Sequence, residues 1–163
     1  MTPIPLSKYR ALVSENVREA DALVAEHVCG WNWFSETHKE HGEVFQLIDR
    51  QSHPLLTRAD ALEVELYKGK KKIWHYDIPE YHSDLNACAQ MEIQMPRHED
   101  EVSVNELRWA YLKALGKVTE AEHHEDCEGH NSIGLSRLIM ATPTQKCEAA
   151  LLAVGAVVGE EKR

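Results

Sequence analysis

Apolar residues recur at three- and four-residue steps from the start of the chain. Tyr9, Leu12, Val13, Val17, Ala20, Leu23, Val24, His27 and Val28 line one stripe. That period predicts an amphipathic helix over residues 7–28, with Ser7 placed as its N-cap. Asp21 is also placed to cap a second, shorter helix, so a break near residues 18–21 fits the same pattern. Gly30 supplies the left-handed residue that stops the helix. The pattern then shortens towards a period of two. Trp31–Phe34, Glu43–Asp49, Leu62–Tyr67 and Ile73–Tyr76 read as strands. Leu62, Val64 and Leu66 alternate cleanly with Glu63, Glu65 and Tyr67, although residues 57–61 just before them also suit a helix. Residues 35–42 are polar and turn-like, and Lys68–Lys72 reads as a hairpin turn whose charges guard a sheet edge.

Helical periods return in the second half. Ser83 is placed to cap a helix that runs to Met95 and is ended by Pro96. Ser103 and Glu106 have capping-box spacing ahead of a helix over residues 103–115, with Gly116 as its stop. Leu135–Met140 is a last strand candidate. Thr142-Pro143-Thr144-Gln145 combines a threonine cap, a proline at the first helical position and a glutamine three residues after the cap, so a helix is predicted over residues 143–158. The resulting expectation is a single α+β domain over residues 1–163. Helices 7–28, 83–95, 103–115 and 143–158 flank a small antiparallel sheet in an α/β/α sandwich-like arrangement. The sheet is drawn from residues 31–76 and 135–140, and the segments Tyr81–Met95 and Thr142–Val158 are expected to pack against the helix-to-strand corner at Leu23–Trp31.

Composition narrows the functional classes. The chain has 163 residues, a hydrophobic content of 43% and a net charge of −9. The length fits one domain with a proper core. The acidic balance repels phosphate backbones and argues against direct nucleic-acid binding. Cys29, Cys88, Cys127 and Cys147 are widely spaced with no C-x-x-C pair, and the first residues lack the basic-then-apolar layout of a secretory leader. No apolar run approaches the roughly 20 residues that span a bilayer. These features predict a reduced, cytoplasmic protein with no membrane role.

Three groups of residues carry candidate chemistry. His123, Cys127 and His130 share a face if residues 123–130 are helical, and together they offer three ligands to Zn²⁺. Gly129 and the polarity of the stretch argue instead for a solvated loop without a metal, and the spacing matches no standard finger or protease motif. Trp31, Trp33, Trp74, Tyr76 and Tyr81 come from sheet and loop positions that could converge, with Lys70–Lys72 nearby, to hold a nucleotide base and phosphate. The same aromatics also suit a core and its rim. Cys29, Cys88 and Cys147 would act as nucleophiles only beside a histidine. G-x-S-x-G, G-x-x-x-x-G-K and H-E-x-x-H are all missing, so no catalytic residue is assigned.

Three segments, in order, resemble the phage ABA-sandwich-domain family of small phage and prophage proteins of unknown function. They are Leu23–Trp31, which ends in Cys-Gly-Trp, Tyr81–Cys88, and Ala141–Pro143 with Cys147–Ala153. The resemblance implies a small α+β domain of helices flanking a sheet, with residues 35–75 and 97–132 as expansions on it. It brings no enzymatic activity and no functional residues. The expected role is that of a non-enzymatic accessory protein that binds a host or phage component. The alternatives are a counter-defence protein that sequesters a small (cyclic) nucleotide signal and a metal-dependent enzyme using residues 123–130. The alanine-rich last helix fits a dimer face as readily as a core face.

Overall fold

Two helices carry the N-terminal stripe where its period predicted one. In the computed structural model, which describes residues 2–39, 42–48, 64–67, 71–74, 78–95, 101–119 and 140–159, α1 spans Leu6–Glu15 and α2 spans Val17–His27. The break falls at Asn16, whose backbone is extended (φ −150°, ψ 81°). Its N–H still closes α1 on the Leu12 carbonyl, while its side-chain oxygen accepts the Glu19 N–H of α2. One asparagine thus ends one helix and caps the next, which is why the apolar stripe crosses the break without a change of period. Ser7 lies inside α1 and is not its cap. Gly30 does adopt the left-handed conformation (φ 69°), and this returns the Trp31 N–H to the Ala25 carbonyl.

The strands are β1 (Ile4–Pro5), β2 (Asn32–His38), β3 (Gly42–Ile48), β4 (Val64–Tyr67), β5 (Lys71–Trp74) and β6 (Val157–Val158). β2 to β5 form one sheet in the order β2-β3-β5-β4, and β1 pairs with β6. The chain is therefore α+β, but the wholly antiparallel sheet expected from the sequence is not found. β2–β3 and β4–β5 are antiparallel hairpins, whereas β3 runs parallel to β5 and β1 parallel to β6. A short turn after β3 would have laid the next strand beside it antiparallel. Residues 49–63 instead separate β3 from β4, long enough for the chain to pass over one strand position and return as β5. Residues 35–38, expected as a turn, extend β2, and Lys71 and Lys72 belong to β5. Of the predicted strand 135–140, only Met140 is among the described residues, and it lies in a turn.

The remaining helices among the described residues are α3 (Leu85–Gln94), α4 (Glu101–Val118) and α5 (Pro143–Ala153). Ser83 stands outside α3, which Asp84 caps by accepting the Asn86 N–H at 2.8 Å. Ser103 and Gly116 lie inside α4, so neither starts nor stops it. Thr142 caps α5 with both bonds of the capping box, as its sequence predicts. α5 is shorter than expected because Gly155 (φ 72°) turns the chain into β6.

α2 and α5 form the centre. Residues 20–25 of α2 and 147–151 of α5 are buried without interruption. A helix buried on every side needs no polar face, and a run rich in alanine lets its neighbours approach closely. α5 lies against α2, α3 and α4, so its middle turns, residues 147–151, belong to the core. β3 reaches this centre through the buried Leu47. No helix among the described residues is long and apolar enough to cross a membrane. Leu151 is wholly enclosed, whereas Ile93 on α3 is 65% exposed. Leu151→Ala should therefore lower the unfolding free energy by about 3 kcal/mol and Ile93→Ala by less than about 0.5 kcal/mol, read from urea unfolding monitored by circular dichroism.

Candidate functional site

Within the described core the polar chemistry gathers where α1, α2 and the turn at residues 78–84 meet. Asp21 sits in an otherwise apolar run of α2, and its side chain is buried. A carboxylate out of water must be matched by donors. One oxygen accepts Arg18 at 2.7 Å. The other accepts both the His82 ring at 2.7 Å and the His82 backbone N–H at 3.0 Å. Arg18 continues to the Ile78 carbonyl, fixing the entry to the turn. With Nδ1 of His82 donating to Asp21, Nε2 is left to accept the hydroxyl of Tyr9 at 2.7 Å.

Aspartate, histidine and hydroxyl in series have the layout of an activated nucleophile. This series is sealed. Tyr9 is 0%, Asp21 1% and His82 6% exposed. Burial, reinforced by Cys147, Glu148 and Asp21, pushes the Tyr9 phenol well above its ordinary value. The hydroxyl is held as a proton donor with no route for a substrate to reach it.

Beside this network, the three resembling segments converge on one residue, Tyr81. Its carbonyl accepts the thiols of Cys88 on α3 at 2.9 Å and Cys147 on α5 at 3.3 Å. Its hydroxyl accepts the thiol of Cys29 at 3.5 Å. Thr144 adds a bond to the neighbouring His82 carbonyl. The Cys88–Cys147 contact and then burial push the Cys147 thiol far up, so it stays a thiol. These cysteines are buried donors, and both nitrogens of the adjacent His82 ring are already engaged with Asp21 and Tyr9, so His82 is not their base.

The aromatic group expected to hold a ligand is not assembled among the described residues. Tyr81 is 1% exposed, and Trp31 and Trp33 pack as partly buried residues on the core. The indole N–H of Trp31 is buried without a hydrogen-bond partner. Trp74 ends β5, and Tyr76 lies outside the described residues. His123, Cys127 and His130 also lie outside them, and the described residues hold no group of three metal-binding side chains.

Sequence reasoning missed Tyr9, Arg18, Asp21, His82 and Glu148 as a polar system. The available signal was a carboxylate inside an apolar run. Ala20-Asp21-Ala22 and Cys147-Glu148-Ala149 both have it, and both carboxylates prove to be buried and paired with arginine. Glu148 takes Arg10 through two bonds of 3.0 and 2.7 Å, at the mouth of an open cleft of about 490 Å³ between α1, α4 and α5. No family model, curated protein or solved structure matches this chain.

Two outcomes follow from the sealed network. Asp21→Ala removes the shared acceptor of Arg18, the His82 ring and the His82 N–H, and should cost about 3–5 kcal/mol in chemical unfolding, against about 1 kcal/mol for Tyr9→Phe. Tyr9, Tyr81 and Tyr111 all have phenols raised above 10.0, with burial as the largest cause in each. The unfolded chain loses these protons first, so their contribution is intact below pH 10 and falls as pH rises beyond it. Tyrosinate absorbance from these three residues should therefore appear together with the loss of helical circular dichroism.

Proposed function

We propose that this chain acts by binding a partner and not by turning over a substrate, as an accessory protein of the phage ABA-sandwich type. The observation that carries this reading is the sealing of the Asp21–His82–Tyr9 series. The acid–base–hydroxyl arrangement is present, and every member is closed to substrate. The open cleft beside it has the opposite character. Among the described residues that line it, the one carboxylate, Glu148, is bound by Arg10, and there is no hydroxyl, thiol or histidine. A concave surface of this kind holds a ligand without a group to transform it.

The meeting of the three resembling segments around Tyr81 supports reading them as one scaffold unit. The proposed partner is a host or phage protein. A second reading, sequestration of a small nucleotide signal, is favoured by the cationic rim of the cleft. The third reading, metal-dependent catalysis by residues 123–130, falls on residues outside those described.

The test uses protein purified natively from the cells in which it acts, or from host extract to which it has been added. The expected result is a stoichiometric complex, with a protein or a small molecule, that forms equally well with Tyr9→Phe. Ester, phosphoester and peptide reporters should remain unconsumed. Turnover that the wild type shows and Tyr9→Phe loses would overturn the reading.

A further inference from the structure

The cleft between α1, α4 and α5 exists because its walls are too small to close it. Ala114 and Val118 of α4 face Leu6 of α1 and Leu152 of α5, and they leave about 490 Å³ unfilled. That volume is within the range of small-molecule sites. Its floor is apolar while its rim is charged, and the rim is unlike the rest of the protein. Among the described residues, Arg10, Lys113 and Lys117 stand around it with one carboxylate, Glu148, in a chain of net charge −9.

Glu148 is 5% exposed and already holds Arg10 through both of its oxygens. It therefore offers no free anionic face to a cationic ligand. Lys113 and Lys117 are one helical turn apart on α4 and exposed. Two ammonium groups at that spacing repel each other when unoccupied, and one anionic group placed between them relieves the repulsion.

We propose that this cleft is a binding site for a small amphipathic anion, a molecule with an apolar body and one phosphate or carboxylate head. The body lies on the floor formed by Leu6, Ala114, Val118 and Leu152. The head lies between Lys113 and Lys117. The proposal rests on the binding reading above and names the ligand class of that reading's open site. Neither half of such a ligand suffices alone: the lysines are solvated and hold a bare anion weakly, and the floor is open on one side.

Adenosine monophosphate and decanoate supply the two combinations of head and body, and inorganic phosphate supplies a head alone. Each would be titrated into the full chain and followed by amide chemical shifts of residues 110–118 and 148–153. At least one amphipathic probe should shift these signals with an affinity at least about tenfold above that of phosphate. Lys113→Glu/Lys117→Glu, at exposed positions, should weaken it by at least about tenfold, since two attractive charges at the head become two repulsive ones. Ala114→Leu, which fills the floor, should weaken it while leaving the helical spectrum unchanged. Silence from both amphipathic probes, binding that survives the double charge reversal, or phosphate binding as tightly as either probe would overturn the site. A silent cleft beside a stoichiometric protein complex sinks this inference alone, whereas consumption of a probe sinks the binding reading itself.

Discussion

A single buried carboxylate sets the terms for the core. Asp21 lies in the middle of α2, the helix that the rest of the described structure surrounds, and taking its charge out of water would cost several kcal/mol if it stood alone. It stands with three donors from two separate elements. Satisfying it requires the turn at residues 78–84 to approach α2 at one register, since the ring and the backbone of His82 must both reach the same oxygen. With that register fixed, Tyr81 is placed between α3 and α5, where its carbonyl meets Cys88 and Cys147. His82 in turn reaches Tyr9 and brings α1 to the same point. The apolar surfaces supply the energy of the core, and Asp21 restricts how they can be joined.

How far the fold was legible in the sequence follows the distance over which each decision is made. Thr142 and Gln145 are three residues apart, so their capping box can be read directly, and the structure has it. Gly30 is a local conformational requirement and was equally readable. Asn16 was not, because an asparagine that closes one helix and opens the next leaves the apolar period intact. Sheet order was not readable either. β5, not β4, lies beside β3, and strand alternation reports which residues share a face, not which strand lies alongside. The site was the least legible part. Tyr9 and His82 are 73 residues apart in sequence, and Asp21 and His82 are 61 apart. No spacing rule connects them. What the sequence did carry was an anomaly, an acidic residue where the helix should be apolar, and that anomaly states a need for a partner without naming it.

Sequence reasoning placed function where unusual residues cluster, at the aromatics and the histidines. Among the described residues, the aromatic Tyr81 serves packing, and the histidine His82 serves satisfaction of Asp21. The open cleft is made of ordinary residues, alanines and lysines on a regular helix, and leaves no signature in composition. Ala110, Ala114 and Val118 would be read from periodicity alone as part of a core-facing stripe. Their role as a floor depends on what α1 and α5 fail to place opposite them.

Glu148 belongs to both systems and explains why they are neighbours. It projects from the central helix α5 and is close enough to Tyr9 to help hold that phenol protonated, yet its carboxylate is matched by Arg10 at the edge of the cleft. Arg10 is 60% exposed while its partner is nearly enclosed, so the pair spans the boundary between core and solvent. The strength of such a pair depends on the water around its exposed half. Glu148 thus meets both the sealed network and the open cleft.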